Sequence, residues 1–115
     1  MRVEQAGAER CEVAANGGFV LVRVPVRIAG ENERDKAVAH YVIGGFVGRE
    51  TSWPLRRGCE TTLTFRIPGE LFRERERLSL EVRRKDSPAD PETLWAKRYE
   101  VRWVNGSPQL EPVPD

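Results

Sequence analysis

The sequence predicts an all-β domain, an antiparallel immunoglobulin-like β-sandwich of about seven to eight strands. Three observations carry that expectation. Apolar and polar residues alternate with period two in one segment after another, the pattern of strands with one face buried. Turn signals built from Gly, Pro and Asn-Gly stand between those segments. Only residues 33–43 carry a spacing that also suits a short helix.

Near the start, Asn16-Gly17 lies between two β-rich runs and signals a type I′ turn, whose central residues both need positive φ. A two-residue loop there pairs Ala15 with Gly18, Val13 with Val20 and Cys11 with Val22. That register puts Cys11, Val13 and Ala15 on the face of Val20, Val22, Val24, Val26 and Ile28, whereas a three-residue loop would push half the set outward. Phe19, Leu21 and Pro25 then share the outward parity. Phe19 and Leu21 would form a self-association patch or a seat for the C-terminal tail. Pro25, having no N–H, predicts an edge position or a bulge.

Residues 33–43 admit two readings. Asn32 could cap a helix with Ala37, Val38, Tyr41 and Val42 as its buried stripe, or Val38 to Ile43 could be a strand buried on both faces. The content of Val38, Tyr41, Val42 and Ile43 favours the strand. Gly44-Gly45 then turns the chain into a strand ending near Trp53-Pro54, or forms a bulge.

Three clean alternations follow. In 60–67, Leu63, Phe65 and Ile67 face inward; in 76–84, Leu78, Leu80 and Val82 do. In 95–103 the inward set is Trp95, Tyr99, Val101 and Trp103. Lys97 interrupts that set, which places it near a strand end where its ammonium can reach water. A two-proline loop over 86–93 joins the last two strands. The domain is expected over residues 1–104, with 105–115 a proline-rich tail, extended or disordered.

Composition narrows the function. The 115 residues carry 19 basic and 18 acidic groups, a formal charge of +1, which supplies almost no net field for nucleic acid or an anionic membrane. No run approaches the ~18 apolar residues of a membrane span. Sixteen of the basic residues are Arg, most of them on outward strand parity beside Glu, as on a mutually neutralising sheet surface. That leaves Arg49, Arg56 and Arg57, grouped around Trp53, as the candidates for function. Cys11 and Cys59 are too few for a disulfide scaffold or a zinc site, so no metal and no cofactor are expected. With Met1 as the native start, the lack of an apolar leader predicts a cytoplasmic protein with free thiols.

Catalysis has little to draw on. His40, the single histidine, sits in the apolar run Ala39-His40-Tyr41 and reads as a packed structural residue. Gly44-Gly45 matches neither nucleotide fingerprint. A non-enzyme is therefore expected. Trp53, rimmed by arginines, and Trp95, beside the 86–93 loop, are candidate binding anchors together with Arg49, Arg56 and Arg57.

The order Tyr41-Val42-Ile43-Gly44, Trp53-Pro54-Leu55, Phe65-Arg66-Ile67-Pro68, Glu81 to Asp86 and Leu94-Trp95 resembles the landmarks of starch-binding carbohydrate-binding modules over about half the chain. That resemblance implies a β-sandwich stacking glucose rings on Trp53 and Trp95. The Gly-Asn-Trp turn of those modules is missing here. The leading expectation is a non-catalytic module that binds a protein partner or itself, as an adaptor or assembly subunit. The alternatives are glycan binding through Trp53 and Trp95, and single-stranded nucleic-acid binding through Arg56, Arg57, Arg83, Arg84 and Lys85.

Overall fold

The computed structural model describes residues 2–14, 17–29, 36–54, 59–84 and 93–113. The chain is all-β: among the described residues nine strands make two antiparallel sheets packed face to face. In the smaller sheet β3 (Phe19–Ala29) is central. It pairs along one side with β6 (Cys59–Pro68), and along the other with β1 (Arg2–Gln5) and β2 (Arg10–Val13) placed end to end. The larger sheet runs in the order β5 (Phe46–Pro54), β4 (Lys36–Ile43), β7 (Arg77–Arg84), β8 (Thr93–Val104), β9 (Ser107–Pro112).

The alternation read from the sequence is what the two sheets bury. Val20, Val22, Val24, Val26 and Ile28 of β3 face Leu78, Leu80, Val82, Tyr99 and Val101 across one core, with Leu63, Phe65 and Ile67 filling the β6 side. Removing that apolar area from water is the main driving force, about 25 cal/mol per Å². A substitution such as Phe65→Ala, at a side chain with no solvent exposure, would leave a cavity the sheets cannot close.

Residues 36–43 are β4, so for them the helix reading is corrected. Ala37, Ala39, Tyr41 and Ile43 face the core while Val38, His40 and Val42 pair toward β7 on the outer face. β-Branched and aromatic side chains flanked by two strands outweigh a helical spacing whose stripe would have had no face to pack on. Residues 30–35 lie outside the described part. Its one helical piece is a 3₁₀ turn, Gly69–Leu71.

Cys11 pairs with Val22 and Val13 with Val20, the register expected from the face count. The turn itself closes one residue earlier than a two-residue Asn-Gly loop would, through Gly17 N–H donating to the Ala14 carbonyl at 2.8 Å, with Gly17 at φ +72°. Residues 15 and 16 lie outside the described part. The tight Asn-Gly turn is at Asn105-Gly106 instead, where φ is +51° and +78°. It sends the chain back along β8 as β9, so residues 107–112 belong to the sheet and are not a tail beyond it.

Pro25 lies on the central strand, not at an edge. Its carbonyl accepts from Ala6 N–H at 2.8 Å, so its missing N–H points to the same side, toward the interruption between β1 and β2. The sheet breaks where the donor is absent. Lys97 is likewise corrected: it stands in the middle of β8 opposite Leu80. Its ammonium escapes the core through the seam between the sheets, over the Tyr99 ring at 5.3 Å, to Gln5 Oε1 at 3.2 Å and Glu9 at 3.7 Å.

Candidate functional site

Of the sequence-predicted anchors, Trp95 alone has its side chain among the described residues. Trp95 pairs with Val82 on the inner side of the larger sheet, half-buried against the core. Trp53 pairs by backbone with Ala37 on β5, three strands away from Trp95 in the sheet order. At about 4.8 Å per strand that is roughly 14 Å. Arg49 pairs by backbone with His40. The side chains of Trp53 and Arg49, and all of Arg56, Arg57 and Lys85, lie outside the described part. Arg83 is held by Glu81 at 2.7 Å.

The third tryptophan is structural. Trp103 donates its indole N–H to the Phe72 carbonyl at 2.8 Å and meets the Phe72 ring edge-on at 6.1 Å. Its backbone N–H donates to Glu74 at 2.6 Å, and Arg102 reaches Glu74, Glu100 and Glu111. This clasp closes the end of the sandwich beside β9. The β9 edge is also closed to a further strand, because Val113 N–H donates to Arg98 at 3.0 Å and alternation then turns residues 108, 110 and 112 away from β8. Two of those three are proline. Pro108 has no donor to offer, and its carbonyl already accepts from the Cys11 thiol at 2.9 Å.

Cys11 is a free thiol in that seam. Burial first, then the Glu9 charge, push its pKa from 9.0 to about 11. Along β3 its partner Val22 stands six positions from Ile28, the partner of Cys59. At about 3.3 Å per residue, the two cysteines stand too far apart to bridge. Tyr99 is fully buried nearby, and burial, then Glu9, drive its pKa upward.

The opposite edge of the same sheet is built differently. Gly44-Gly45, at φ +54° and +81°, forms a two-residue turn that pairs Ile43 with Phe46. In such a hairpin the flanking pair exchanges hydrogen bonds, so Phe46 and Gly48 bond inward to β4 while Val47 and Arg49 present N–H and C=O to the free edge. No proline stands among residues 46–53. Gly48 is buried because the Tyr41 ring lies where its Cβ would be, and Tyr41 also meets the Phe46 ring at 6.2 Å. Phe46 is 45% exposed and Val47 63%, the most exposed large apolar residue described. Val42 lies beside Val47 in register.

Among the described residues β6 also has one strand neighbour, but its exposed side chains are the polar Glu60, Thr62, Thr64 and Arg66, and β2 lies against β9. Phe19, which the sequence offers as a patch, is 37% exposed beneath the Arg66 guanidinium at 5.7 Å, and β9 does not seat on it. Sequence reasoning missed the β5 edge because Phe46 and Val47 follow one another without alternation. The available signal was a glycine pair opening a strand free of proline.

Among the described residues no three His, Cys, Asp or Glu side chains gather as a metal site, and no helix is long and apolar enough to cross a membrane. No family model, curated protein or solved structure matches the chain.

Proposed function

We propose that the chain is an immunoglobulin-like, non-catalytic binding module that takes an extended strand of a protein partner along β5. The immunoglobulin-like reading is supported by the connectivity. The chain crosses between sheets from β3 to β4, from β5 to β6 and from β6 to β7. That yields a sheet of β1/β2, β3 and β6 against β5, β4, β7 and β8, the A-B-E and C′-C-F-G pattern of such sandwiches with β9 added.

The observation that carries the binding reading is the leading half of β5, which has no strand on its outer side among the described residues, with outward backbone groups at Val47 and Arg49 and exposed Phe46 and Val47 beside them. Native proteins usually blunt such an edge with proline, charge or a cover. β9 shows that blunting, and β5 over residues 46–48 does not. Strand addition would supply main-chain hydrogen bonds for affinity and side-chain contacts at Phe46 and Val47 for selectivity.

The test uses the whole chain as bait in extract from the organism that makes it. Wild type, Val47→Lys and, on the β9 edge, Ser107→Lys are compared by quantitative mass spectrometry. The reading expects a protein retained by wild type and Ser107→Lys and reduced at least about tenfold by Val47→Lys. Identical retention by all three baits would refute it.

A further inference from the structure

The interruption between β1 and β2 has a chemical consequence on the outer face of the smaller sheet. Residues 6–9 leave the sheet opposite Pro25, and beside them opens a cleft of about 390 Å³ lined by Gly7, Ala8, Arg10, Arg23, Pro25 and Thr62. Gly7 packs on the Pro25 ring, where an added Cβ would come to 3.0 Å. No carboxylate lines the cleft.

Arg10 and Arg23 stand directly opposite one another in the β2–β3 register. Like charges so placed destabilise a sheet unless something neutralises them. Arg23 has Glu12 as an ion-pair partner. Arg10 is exposed and has no carboxylate partner among the described residues. Its nearest acid in sequence, Glu9, is drawn the other way, into the seam, where it accepts from Gln5 Nε2 at 2.6 Å and faces Lys97. Two arginines therefore line one concave surface with a threonine on its wall, and the single carboxylate that reaches either of them, Glu12 on Arg23, leaves a net positive balance.

We propose that this cleft binds an oxyanion of the phosphate class between Arg10 and Arg23. Guanidinium forks match the oxygens of such a group, and binding answers the Arg10 charge that Glu12, held by Arg23, does not reach. Charge-assisted hydrogen bonds from two arginines make each one necessary to affinity. The site lies on the sheet that does not contain β5, so it stands or falls apart from the strand-binding reading.

The experiment is a titration of the full chain at low ionic strength, followed by amide chemical shifts. Inorganic phosphate is one arm and N-acetyl-phosphoserine amide the other, with chloride at matched ionic strength as reference. The expected result is saturable shifting of the Gly7, Ala8, Arg10 and Thr62 amides in the roughly millimolar range. Arg10→Gln should weaken binding about tenfold while Arg77→Gln, on the other sheet, leaves it unchanged. Tighter binding of phosphoserine assigns the site to a group carried on a chain; equal binding assigns it to the free anion. Shifts that never saturate, that chloride reproduces, or that survive Arg10→Gln would overturn the proposal. Arg10 is exposed and outside the core, so unchanged shifts elsewhere certify the fold.

Discussion

The two edges of the larger sheet solve the same problem in opposite ways. At β9 two prolines remove two of the three outward donors, Cys11 caps the Pro108 carbonyl, and the Trp103–Phe72–Glu74 clasp anchors the neighbouring strand. At β5 the chain spends a buried glycine to let Tyr41 lie over the strand, yet leaves Val47 in water. A strand edge costs aggregation risk when left open. Among the described residues one edge is closed thoroughly and the other is bare, and the proposed strand addition at β5 rests on that contrast.

The contrast can be broken at either edge, and the largest loss belongs to the closed one. Phe72→Ala empties a fully buried site under Trp103 and should cost about 3–5 kcal/mol in urea unfolding. Next comes Gly48→Ala, which drives a methyl group into the Tyr41 ring. It should cost about 2–3 kcal/mol by the same measurement, although alanine is ordinarily well tolerated in a β-sheet edge. Trp103→Phe keeps most of the ring but leaves the Phe72 carbonyl without its donor, for about 1–2 kcal/mol.

Cys11 reports on the β9 seam through pH. Its thiol is held in the neutral form up to about 11, against 9.0 for the ordinary group. Between those values the unfolded chain gives up a proton that the folded chain keeps. Stability from this group is therefore complete below pH 9 and is lost as pH rises toward 11. In a Cys59→Ser background, alkylation of Cys11 in the folded protein should remain slow at pH 8 and climb steadily up to about pH 11. A rate that levels off near pH 9 would mean the seam is open to water. The smallest stability effect is at the open edge, where Val47→Lys should shift unfolding by less than about 0.5 kcal/mol.

How far the sequence alone led can be seen element by element. Period two located β3, β6, β7 and β8 and their buried residues, because one face of each meets a single core and the burial pattern writes itself into the residue types. The β2–β3 register followed from the same face count. β9 was obscured by its two prolines, Pro108 and Pro112, which with Pro114 beyond them in the sequence read as a tail. A proline with its nitrogen turned outward is compatible with an edge strand, and Asn105-Gly106 carried the turn signal plainly. Pro25 misled for a related reason: a break in the neighbouring strand serves as well as an edge.

The candidate site was less legible, and for a physical reason. Trp95 and the arginines announce themselves as residue types, whereas an open edge is a property of pairing and belongs to no single residue. Phe46-Val47 acquires meaning only once β5 is known to have one neighbour. Similarly, Arg10 and Arg23 are thirteen positions apart and face each other only through the hairpin register.

The central claim is that β5 is the working edge, and hydrogen exchange on a captured complex tests it most directly. With the retained partner bound, the amides of residues 46–49 should gain protection while those of Ser107–Pro112 stay as they are in the free protein. Protection gained along β9, with none on β5, would contradict the account.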